Sequence, residues 1–453
     1  MREHQIIKIL KKRESGKKCG IYSACTANRY VIEAVLEKAL EAGTAALIEA
    51  TANQVNQFGG YTGMKPVDFA GFVLGIVEKT GFPAENLILG GDHLGPLCWQ
   101  NEPEKTAMEK AGDLIREYVL AGYSKIHIDT SMKLADDPSD IRLSDDIIAG
   151  RAAQLAKAAE SAFAEIQTAA ERTGTEDLIC APVYVIGSEV PVPGGAQDNN
   201  ELISLTKAEE FEHTYESFKN EFHKNGLHEA FNRVIAVVVQ PGVEFSDASV
   251  SEYDRQKAEK LCKSLEAYPD LVFEGHSTDY QTRNCLRQMV EDGIAILKVG
   301  PALTFALRQA LFALNDIETE LFRGKADGQG KSGQNQTQLS YFRKTLDDVM
   351  LKNPVYWEKY YQGVDNNDIA IKRKYSFSDR CRYYLPVKEV DDSINRLITN
   401  LNIDPIPLSV LEQYLPIQYS HVRDGKLDLD ANAILKDRVK DYIADYLFAT
   451  GER

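Results

Sequence analysis

Short apolar runs alternate with longer amphipathic segments along the first two thirds of the chain. Most of the runs have continuous apolar cores, which is typical of parallel strands buried on both faces. The eight runs lie at residues 20–23, 46–49, 87–90, 125–129, 178–186, 234–240, 271–274 and 295–299. Helical patterns lie between them at residues 29–42, 66–80, 104–121, 147–172, 207–225, 253–267 and 280–292. This alternation predicts an α/β fold, a (β/α)8 TIM barrel. A doubly wound open sheet is the alternative, but it would more often carry a GxGxxG turn after its first strand, which this sequence lacks.

The pattern changes after the eighth run. Residues 303–323 are predicted to form the eighth barrel helix, and residues 324–338 are polar and rich in glycine, as in a loop or linker. Further helices are predicted at residues 339–350, 387–401 and 434–447. A chain of 453 residues is longer than one compact core usually serves. We therefore expect a TIM barrel with a catalytic rim at residues 1–323. A mainly helical C-terminal extension at residues 324–453 is expected to pack on it.

Composition limits the classes of molecule that the protein is expected to bind. The net charge of −16 disfavours a large interface with nucleic acid or anionic lipid, although a local Arg and Lys cluster can still bind a phosphorylated substrate. No apolar stretch approaches the roughly 18 residues of a membrane span, and the basic N-terminus lacks the apolar core of a secretory signal. The seven scattered cysteines form no CxxC pair, which predicts reduced thiols and a cytoplasmic protein. The oligomeric state stays open, a homo-oligomer included.

Polar side chains are concentrated where the predicted strands end, which is the face that carries the active site in TIM-barrel enzymes. In strand order they are Glu49, Asn53 and Gln54, then Asp92 and His93, then His127, Asp129 and Ser131, then Glu189, Gln240, the group Glu274, His276 and Asp279, and finally Lys298. A barrel with only structural needs would not gather so many carboxylates and imidazoles at one rim. We therefore expect the working site there, centred on Asp92 and His93.

The third and seventh strands face each other across a barrel, so their polar ends can meet at one central ion. His93, Glu274 and His276, with Glu189 as a further candidate, form a nitrogen and oxygen ligand set suited to Zn2+ or another divalent metal. The alternative is a set of separate, hydrogen-bonded polar groups around the rim.

On the fourth strand, His127 and Asp129 share the parity that points into the barrel. Asp129 lies nearer the rim and is the better acid/base candidate, whereas His127 fits a core histidine equally well. Lys298 fits either a site residue or a buried lysine paired with a rim carboxylate. The remaining histidines, His4 among them, are expected at the surface.

The segment of residues 373–386 interleaves Arg373, Arg380 and Arg382 with five hydroxyl-bearing side chains. Paired Arg donors can clamp a phosphate group. The alternative is an Arg–Asp ion-pair network that fixes the C-terminal extension to the barrel.

Several of these motifs resemble those of a known family, the non-catalytic, Z-type (GatZ/KbaZ) subunits of class II D-tagatose-1,6-bisphosphate aldolase. The resemblance spans nearly the whole chain. It is carried by GIYSACTAN (20–28), LIEATANQVNQFGGYTGM (47–64), LILGGDHLGP (87–96), KIHIDTSM (125–132), FEGHSTDYQ (273–281), LKVGPALTFALRQAL (297–311) and YSFSDRCRYY (375–384). The long run at residues 47–64 is the most specific of them.

The resemblance implies one of two functions. Some members are described as metal-dependent 4-epimerases of ketohexoses or their phosphates, such as tagatose 4-epimerase. Others accompany a catalytic class II aldolase subunit and support its activity and stability. Catalytic class II aldolases place an Asp-His pair after one strand with the histidine on zinc, which Asp92 and His93 match. The seventh strand departs from the aldolase His-Gly-Gly run, since this chain reads Glu274-Gly275-His276.

As an epimerase, the protein is expected to work by retro-aldol cleavage and re-addition. A metal, Zn2+ first and Mn2+, Ni2+ or Co2+ as alternatives, would be held by His93, Glu274 and His276. The catalytic candidates are Asp92, Asp129 and Glu189. The candidates for binding the sugar or its phosphate are Glu49, Asn53, Gln54, Gln240, Asp279, Lys298, Arg380 and Arg382. A complete acid/base and ligand set favours the enzyme over the accessory subunit, and an aldolase acting alone is disfavoured by the family's name.

Overall fold

The computed structural model describes residues 1–188, 205–326, 338–362 and 364–451. Eight of its strands are parallel and form a closed barrel, which confirms the predicted TIM barrel. They are β1 (Ile21–Cys25), β2 (Ala46–Thr51), β3 (Leu87–Leu94), β4 (Lys125–Ile128), β5 (Val183–Ile186), β6 (Val234–Val239), β9 (Val272–Gly275) and β10 (Ile294–Val299). The other two, β7 (Glu244–Phe245) and β8 (Val250–Ser251), pair as a short antiparallel ribbon after β6.

Helices follow the barrel strands as the periodicity predicts. They are α2 (Arg29–Ala42), α3 (Pro66–Thr80), α4 (Glu104–Leu120), α5 (Asp145–Thr173), α6 (Ala208–Lys224), α7 (His228–Phe231), α8 (Arg255–Ser264), α9 (Arg283–Glu291) and α10 (Pro301–Ala326), with α1 (Gln5–Glu14) ahead of β1. Capping residues set their bounds: Asn28, Ser144 and Thr282 accept the first backbone N–H groups of α2, α5 and α9. The predicted helix at residues 280–292 therefore starts three residues later, after the Thr282 cap.

Helix α1 closes the amino-terminal end of the barrel. Its Ile6 and Ile9 pack on the apolar lower layer of inward side chains, which includes Ile21, Leu47 and Ile88. His4 caps the helix: its Nδ1 accepts the Ile6 N–H at 3.1 Å and its Nε2 lies 3.1 Å from the Ser124 carbonyl. The expectation that His4 lies at the surface is wrong, because this capping role buries the ring between α1 and β4.

The C-terminal region is helical, with α11 (Phe342–Lys352), α12 (Asn366–Tyr375), α13 (Lys388–Ile403), α14 (Leu408–Tyr414), α15 (Pro416–Arg423) and α16 (Ala431–Thr450). Helix α16 packs against α2, α9, α10 and β1. The Tyr446 hydroxyl donates to the Thr278 carbonyl at 2.9 Å, and the Gly20 N–H donates to the Thr450 carbonyl at 3.1 Å. Helix α16 therefore belongs to the helical layer around the barrel strands, and one hydrophobic core includes residues of both regions. The boundary at residue 323 between a barrel domain and a C-terminal domain stays a prediction.

Among the described residues, no helix combines the length and the apolar character needed to cross a membrane.

Candidate active site

A cavity of about 320 Å³ opens at the carboxyl ends of the barrel strands. Eight of the predicted site residues line it, namely Asn53, Gln54, Asp92, His93, His276, Asp279, Lys298 and Arg382. Its outer wall comes from the C-terminal region, which contributes Lys359, Tyr360 and Tyr383. Barrel and C-terminal region thus build the cavity together.

Three imidazoles meet at the base of this cavity. The ring centroids of His93, His127 and His276 lie 4.9–5.2 Å apart. With Asp92, each ring offers one ligand atom, and these four atoms all lie within 4.8 Å of one another. His93 has a φ of 48°, in the left-handed region that side chains rarely adopt. Such strain is found mainly at functional sites, where the surrounding structure enforces it.

Each of the three rings also has one nitrogen close to a carboxylate. His93 Nδ1 lies 2.8 Å from Asp129 Oδ2, His276 Nε2 lies 3.0 Å from Glu274 Oε1, and His127 Nδ1 lies 2.9 Å from Asp92 Oδ1. The opposite nitrogen of His127, Nε2, is buried and has no hydrogen-bond partner. His93 and His276 have the pattern of metal-binding histidines, with one nitrogen on a carboxylate and the other left for the ion. His127 Nδ1 also accepts the His93 backbone N–H at 3.1 Å.

A layer of buried charges lies directly beneath the imidazoles. The Lys125 ammonium forms ion pairs of 2.7 Å with both Glu49 and Glu274. Lys298 pairs with Glu49 and lies 2.9 Å from Asp92 Oδ1. All five side chains are buried, so every charge in the layer depends on its neighbours for compensation.

These contacts keep the carboxylates ionised. Burial alone would raise the pKa of Glu274, but the Lys125 ammonium and the His276 contact hold it at about 2. Burial opposes the Asp129 charge in the same way, and the His93 hydrogen bond holds the pKa of Asp129 at about 2. The pKa of Asp92 is also held well below its usual range, against burial, by His93 and His127.

The basic groups and Asp279 shift in other directions. Burial lowers the pKa of His93, but Asp92 and Asp129 outweigh it and raise that pKa to about 9. Burial lowers the pKa of Lys298 to about 8, and the neighbouring Cys25 opposes this shift in part. Burial raises the pKa of Asp279 to about 6, although the backbone N–H groups of Ala302 and Gly300 donate to its carboxylate.

Several predicted site residues do not reach the cavity surface. Glu49 and Glu274 lie below it in the charged layer, and Asp129 lies behind His93 with its second oxygen on Ser131. The Gln240 side chain turns back to accept the Gly242 N–H at 2.9 Å. Asp279 lines the cavity, but one of its oxygens caps the start of α10. Glu189 lies outside the described residues.

The Arg-rich segment divides between the two predicted roles. The Arg382 guanidinium lines the cavity and donates to the Tyr383 hydroxyl at 2.8 Å. Arg380 instead stacks over the Tyr360 ring, with its guanidinium carbon 3.6 Å from the ring centroid. Arg308 of α10 pairs with Asp379 of the segment, and Arg373 of the segment pairs with Asp347 of α11. These two ion pairs fit the alternative prediction of an Arg–Asp network.

Comparisons with known proteins agree with the barrel fold. The model of the family described as D-tagatose-1,6-bisphosphate aldolase subunit GatZ/KbaZ-like matches residues 6–451. The chain belongs to this family. A crystal structure described as a probable tagatose 6 phosphate kinase from Sinorhizobium meliloti 1021 is 40% identical, with a TM-score of 0.82. The match covers 95% of this chain and 100% of that one.

Aldolase structures outside the GatZ/KbaZ-like family match more distantly. The YdjI aldolase from Escherichia coli K12 is 12% identical with a TM-score of 0.40, over 69% of this chain and 86% of that one. The fructose-bisphosphate aldolase from Campylobacter jejuni is 13% identical with a TM-score of 0.41, over 89% and 94%.

Sequence reasoning missed some of the side chains at the site of this GatZ/KbaZ-like protein. The sequence pattern fits His127 equally well as a core histidine and as a site residue, and our sequence analysis does not predict Lys125 as a site residue. The parity of the fourth strand places both of them inside the barrel, and that signal was available. No comparable signal exists for Lys359 and Tyr360, since they follow the barrel strands by some 60 residues and reach the cavity only through the packing of the C-terminal region.

Proposed function

We propose that the base of the cavity binds one divalent cation, with Zn2+ as the first candidate and Mn2+, Ni2+ or Co2+ as alternatives. The observation that carries this proposal is the cluster of His93, His127, His276 and Asp92, which offer ligand atoms within 4.8 Å of one another. The buried Nε2 of His127, which has no hydrogen-bond partner, supports it. In this proposal His127 takes the ligand position that the sequence suggested for Glu274. Glu274 and Asp129 then hold His276 and His93 in place, as carboxylates beside metal-binding histidines do.

The charge of the buried site supports a divalent ion. Four ionised carboxylates, Asp92, Asp129, Glu49 and Glu274, lie there with two ammonium groups, Lys125 and Lys298. Imidazoles that bind a metal are neutral, and in that state two negative charges remain for the ion to compensate. Buried charges are costly unless they are paired, so a bound ion of charge +2 would stabilise the arrangement.

The reaction we propose is epimerisation of a ketohexose, or its 6-phosphate, at C4. C4 is not adjacent to the C2 carbonyl, so removal of its hydrogen would give no stabilised carbanion. Inversion by retro-aldol chemistry avoids this difficulty. The C4 hydroxyl loses its proton, the C3–C4 bond breaks, and its electron pair stays with the three-carbon enediolate, leaving an aldehyde at C4. A bound divalent cation would polarise the C2 carbonyl and stabilise the negative charge that develops on this fragment.

Residues at the cavity base have the placement these steps require. Asp92 lines the cavity in its ionised form and accepts the C4 hydroxyl proton. The Lys298 ammonium, 2.9 Å from Asp92, stabilises that carboxylate between turnovers. After the aldehyde turns over, the enediolate attacks its opposite face and Asp92 returns the proton. Asn53 and Gln54 line the same wall and can hold sugar hydroxyls.

The outer wall favours a phosphorylated sugar. Arg382 and Lys359 both line it, and within the described part of the chain neither forms an ion pair with a carboxylate. Two cations that form no direct ion pair among the described residues, in a protein of net charge −16, suit a phosphate group of the substrate. A tagatose 6-phosphate in the name of the Sinorhizobium relative is in keeping with this substrate class. Lys359 thus takes the role that the sequence suggested for Arg380.

Incubation of the metal-loaded protein with fructose, tagatose and their 6-phosphates tests the proposal. We expect the C4 epimer from at least the phosphates, and no product after Asp92→Asn. The absence of an epimer from all four sugars, in a protein that elemental analysis shows to be metal-loaded, would reject the epimerase.

The family match favours a second candidate function. The family is described as an aldolase subunit, so we also propose that the protein binds and stabilises a class II aldolase catalytic subunit. Co-purification with such a subunit, and a longer half-life of its activity, would support this role. Asp92→Asn separates the two functions, because it removes the epimerase chemistry and leaves the outer surface of the barrel unchanged.

A further inference from the structure

Lys125 is one of three fully buried charged groups beneath the cavity, with Glu49 and Glu274. It begins β4 on the parity that points into the barrel, and its side chain has no exposed surface. It does not line the cavity, so it cannot touch a substrate. Removing an ammonium group from water costs several kcal/mol, so its burial needs an explanation beyond packing.

Its position depends on a neighbour without a side chain. The register pairs Glu49 of β2 with Gly90 of β3, and Gly90 with Lys125 of β4. A Cβ at Gly90 would lie 2.4 Å from Glu49 Oε1. Because Gly90 has no side chain, there is space for the Glu49 carboxylate and the Lys125 ammonium to meet across β3.

Two chains of contacts lead from Lys125 to the cavity. On one side, Glu274 Oε2 lies 2.7 Å from the ammonium and Glu274 Oε1 lies 3.0 Å from His276 Nε2. On the other side, Glu49 pairs with Lys125 through one oxygen and with Lys298 through the other. His276 and Lys298 both line the cavity. Lys125 is thus linked to two cavity groups by one intervening carboxylate each.

We propose that Lys125 is a positioning residue, which fixes Glu274 and through it the ring of His276 in the orientation that binds a metal. The inference rests on the metal site proposed above. Without Lys125, two buried carboxylates of like charge would share one pocket, and Glu274 would lose the partner that holds it against His276. Outer partners of metal ligands act in this way, and their loss typically weakens metal binding by about 10- to 100-fold.

The test is a double-mutant cycle on the affinity of the whole protein for Zn2+ and on the absorption spectrum of its Co2+ form. We expect Lys125→Met and Glu274→Gln each to weaken Zn2+ binding by about 10- to 100-fold. The double variant should bind no more weakly than the weaker single variant, because both changes break the same chain of contacts. The Co2+ spectrum should change in all three.

Arg151→Met is the matched control. Arg151 is equally buried and also pairs with two carboxylates, Asp137 and Glu104, but it lies outside the charged layer. It should leave the Zn2+ affinity and the Co2+ spectrum unchanged.

Four outcomes would decide against the inference or its basis. Unchanged Zn2+ affinity in Lys125→Met would overturn the positioning role, as would additive losses in the double variant. If the unaltered protein binds no divalent metal, the proposed metal site fails instead. If Lys125→Met does not fold, Lys125→Met/Glu49→Gln, which removes one of the opposed charges, keeps the comparison possible. Zn2+ affinity equal to that of Glu49→Gln would then count against the role.

Discussion

At the scale of single residues, the decisive feature is the unsatisfied Nε2 of His127. Buried polar atoms are nearly always paired, and exceptions point to strain, function or a missing ligand. The paired nitrogens of His93 and His276, and the neighbouring Asp92, support our proposal that the partner is a divalent cation.

His127→Asn tests this assignment. The amide can keep a contact in the place of Nδ1, near Asp92, but offers nothing in the place of Nε2. We expect elemental analysis to find about one ion per chain in the unaltered protein and much less in the variant, since one of the ligands is lost. His213→Asn, which alters an exposed histidine of α6, should keep the metal. Equal metal content in His127→Asn and the unaltered protein would contradict the site.

His4 gives the protein a specific sensitivity to acid. Burial lowers its pKa from 6.5 to about 4, against the hydrogen bond to Ser124. The unfolded chain therefore takes up this proton at a higher pH than the folded chain, and stability falls as pH drops from about 6.5 to about 4. The loss attributable to His4 between about pH 7 and about pH 5 is about 2 kcal/mol.

His4→Asn isolates this contribution. Asparagine can still accept the Ile6 N–H as a helix cap but does not titrate. Its free energy of unfolding, measured with denaturant, should fall by about 2 kcal/mol less over this range than that of the unaltered protein. The exposed His213→Asn should behave like the unaltered protein. Identical pH dependence in His4→Asn would disprove the assignment.

At the scale of strands and helices, β3 shows how the barrel makes room for its charged layer. Gly90→Ala should place a methyl group against Glu49 and cost about 1–3 kcal/mol, with weaker metal binding because Lys125 and Glu274 are displaced. In contrast, Gly112→Ala in α4 meets open space and should stabilise the protein by about 0.5–1 kcal/mol. Thermal unfolding and Zn2+ titration of both variants check this. A Gly90→Ala protein as stable as Gly112→Ala would contradict it.

The elements were predictable because their signals are local. Continuous apolar runs identified the barrel strands, and the intervening periodicity identified the helices. The charged layer was not predictable in the same way. A lysine at the start of a strand usually indicates exposure, and only the pairing of β2, β3 and β4 and the facing strand β9 reveals why Lys125 is buried.

The candidate site was predictable in part. Asp92, His93, His276 and Lys298 stood at strand ends and do line the cavity. Gln240 also stood at a strand end, but a local turn to Gly242 removes it from the cavity. Long-range packing determines whether such residues reach the cavity, as it does for Lys359, and no local sequence pattern predicts that packing.

At the scale of the whole molecule, the barrel and the C-terminal region share one hydrophobic core and line one cavity. Helix α16 of the C-terminal region also packs directly on the barrel. We therefore expect them to unfold together. The two tryptophans report on the two regions separately, since Trp99 follows β3 and Trp357 follows α11. Trp99→Phe and Trp357→Phe should give coincident denaturation curves by fluorescence. Two clearly separated midpoints would instead show that the C-terminal region folds on its own.

We propose that this cavity inverts C4 of a ketohexose by breaking and re-forming the C3–C4 bond. The most direct test follows fructose 6-phosphate by NMR in D2O with the Zn2+-loaded protein. We predict that tagatose 6-phosphate appears with its C4 hydrogen retained, because that hydrogen never leaves its carbon in a retro-aldol inversion. No tagatose 6-phosphate, or an epimer with deuterium at C4, would contradict the account.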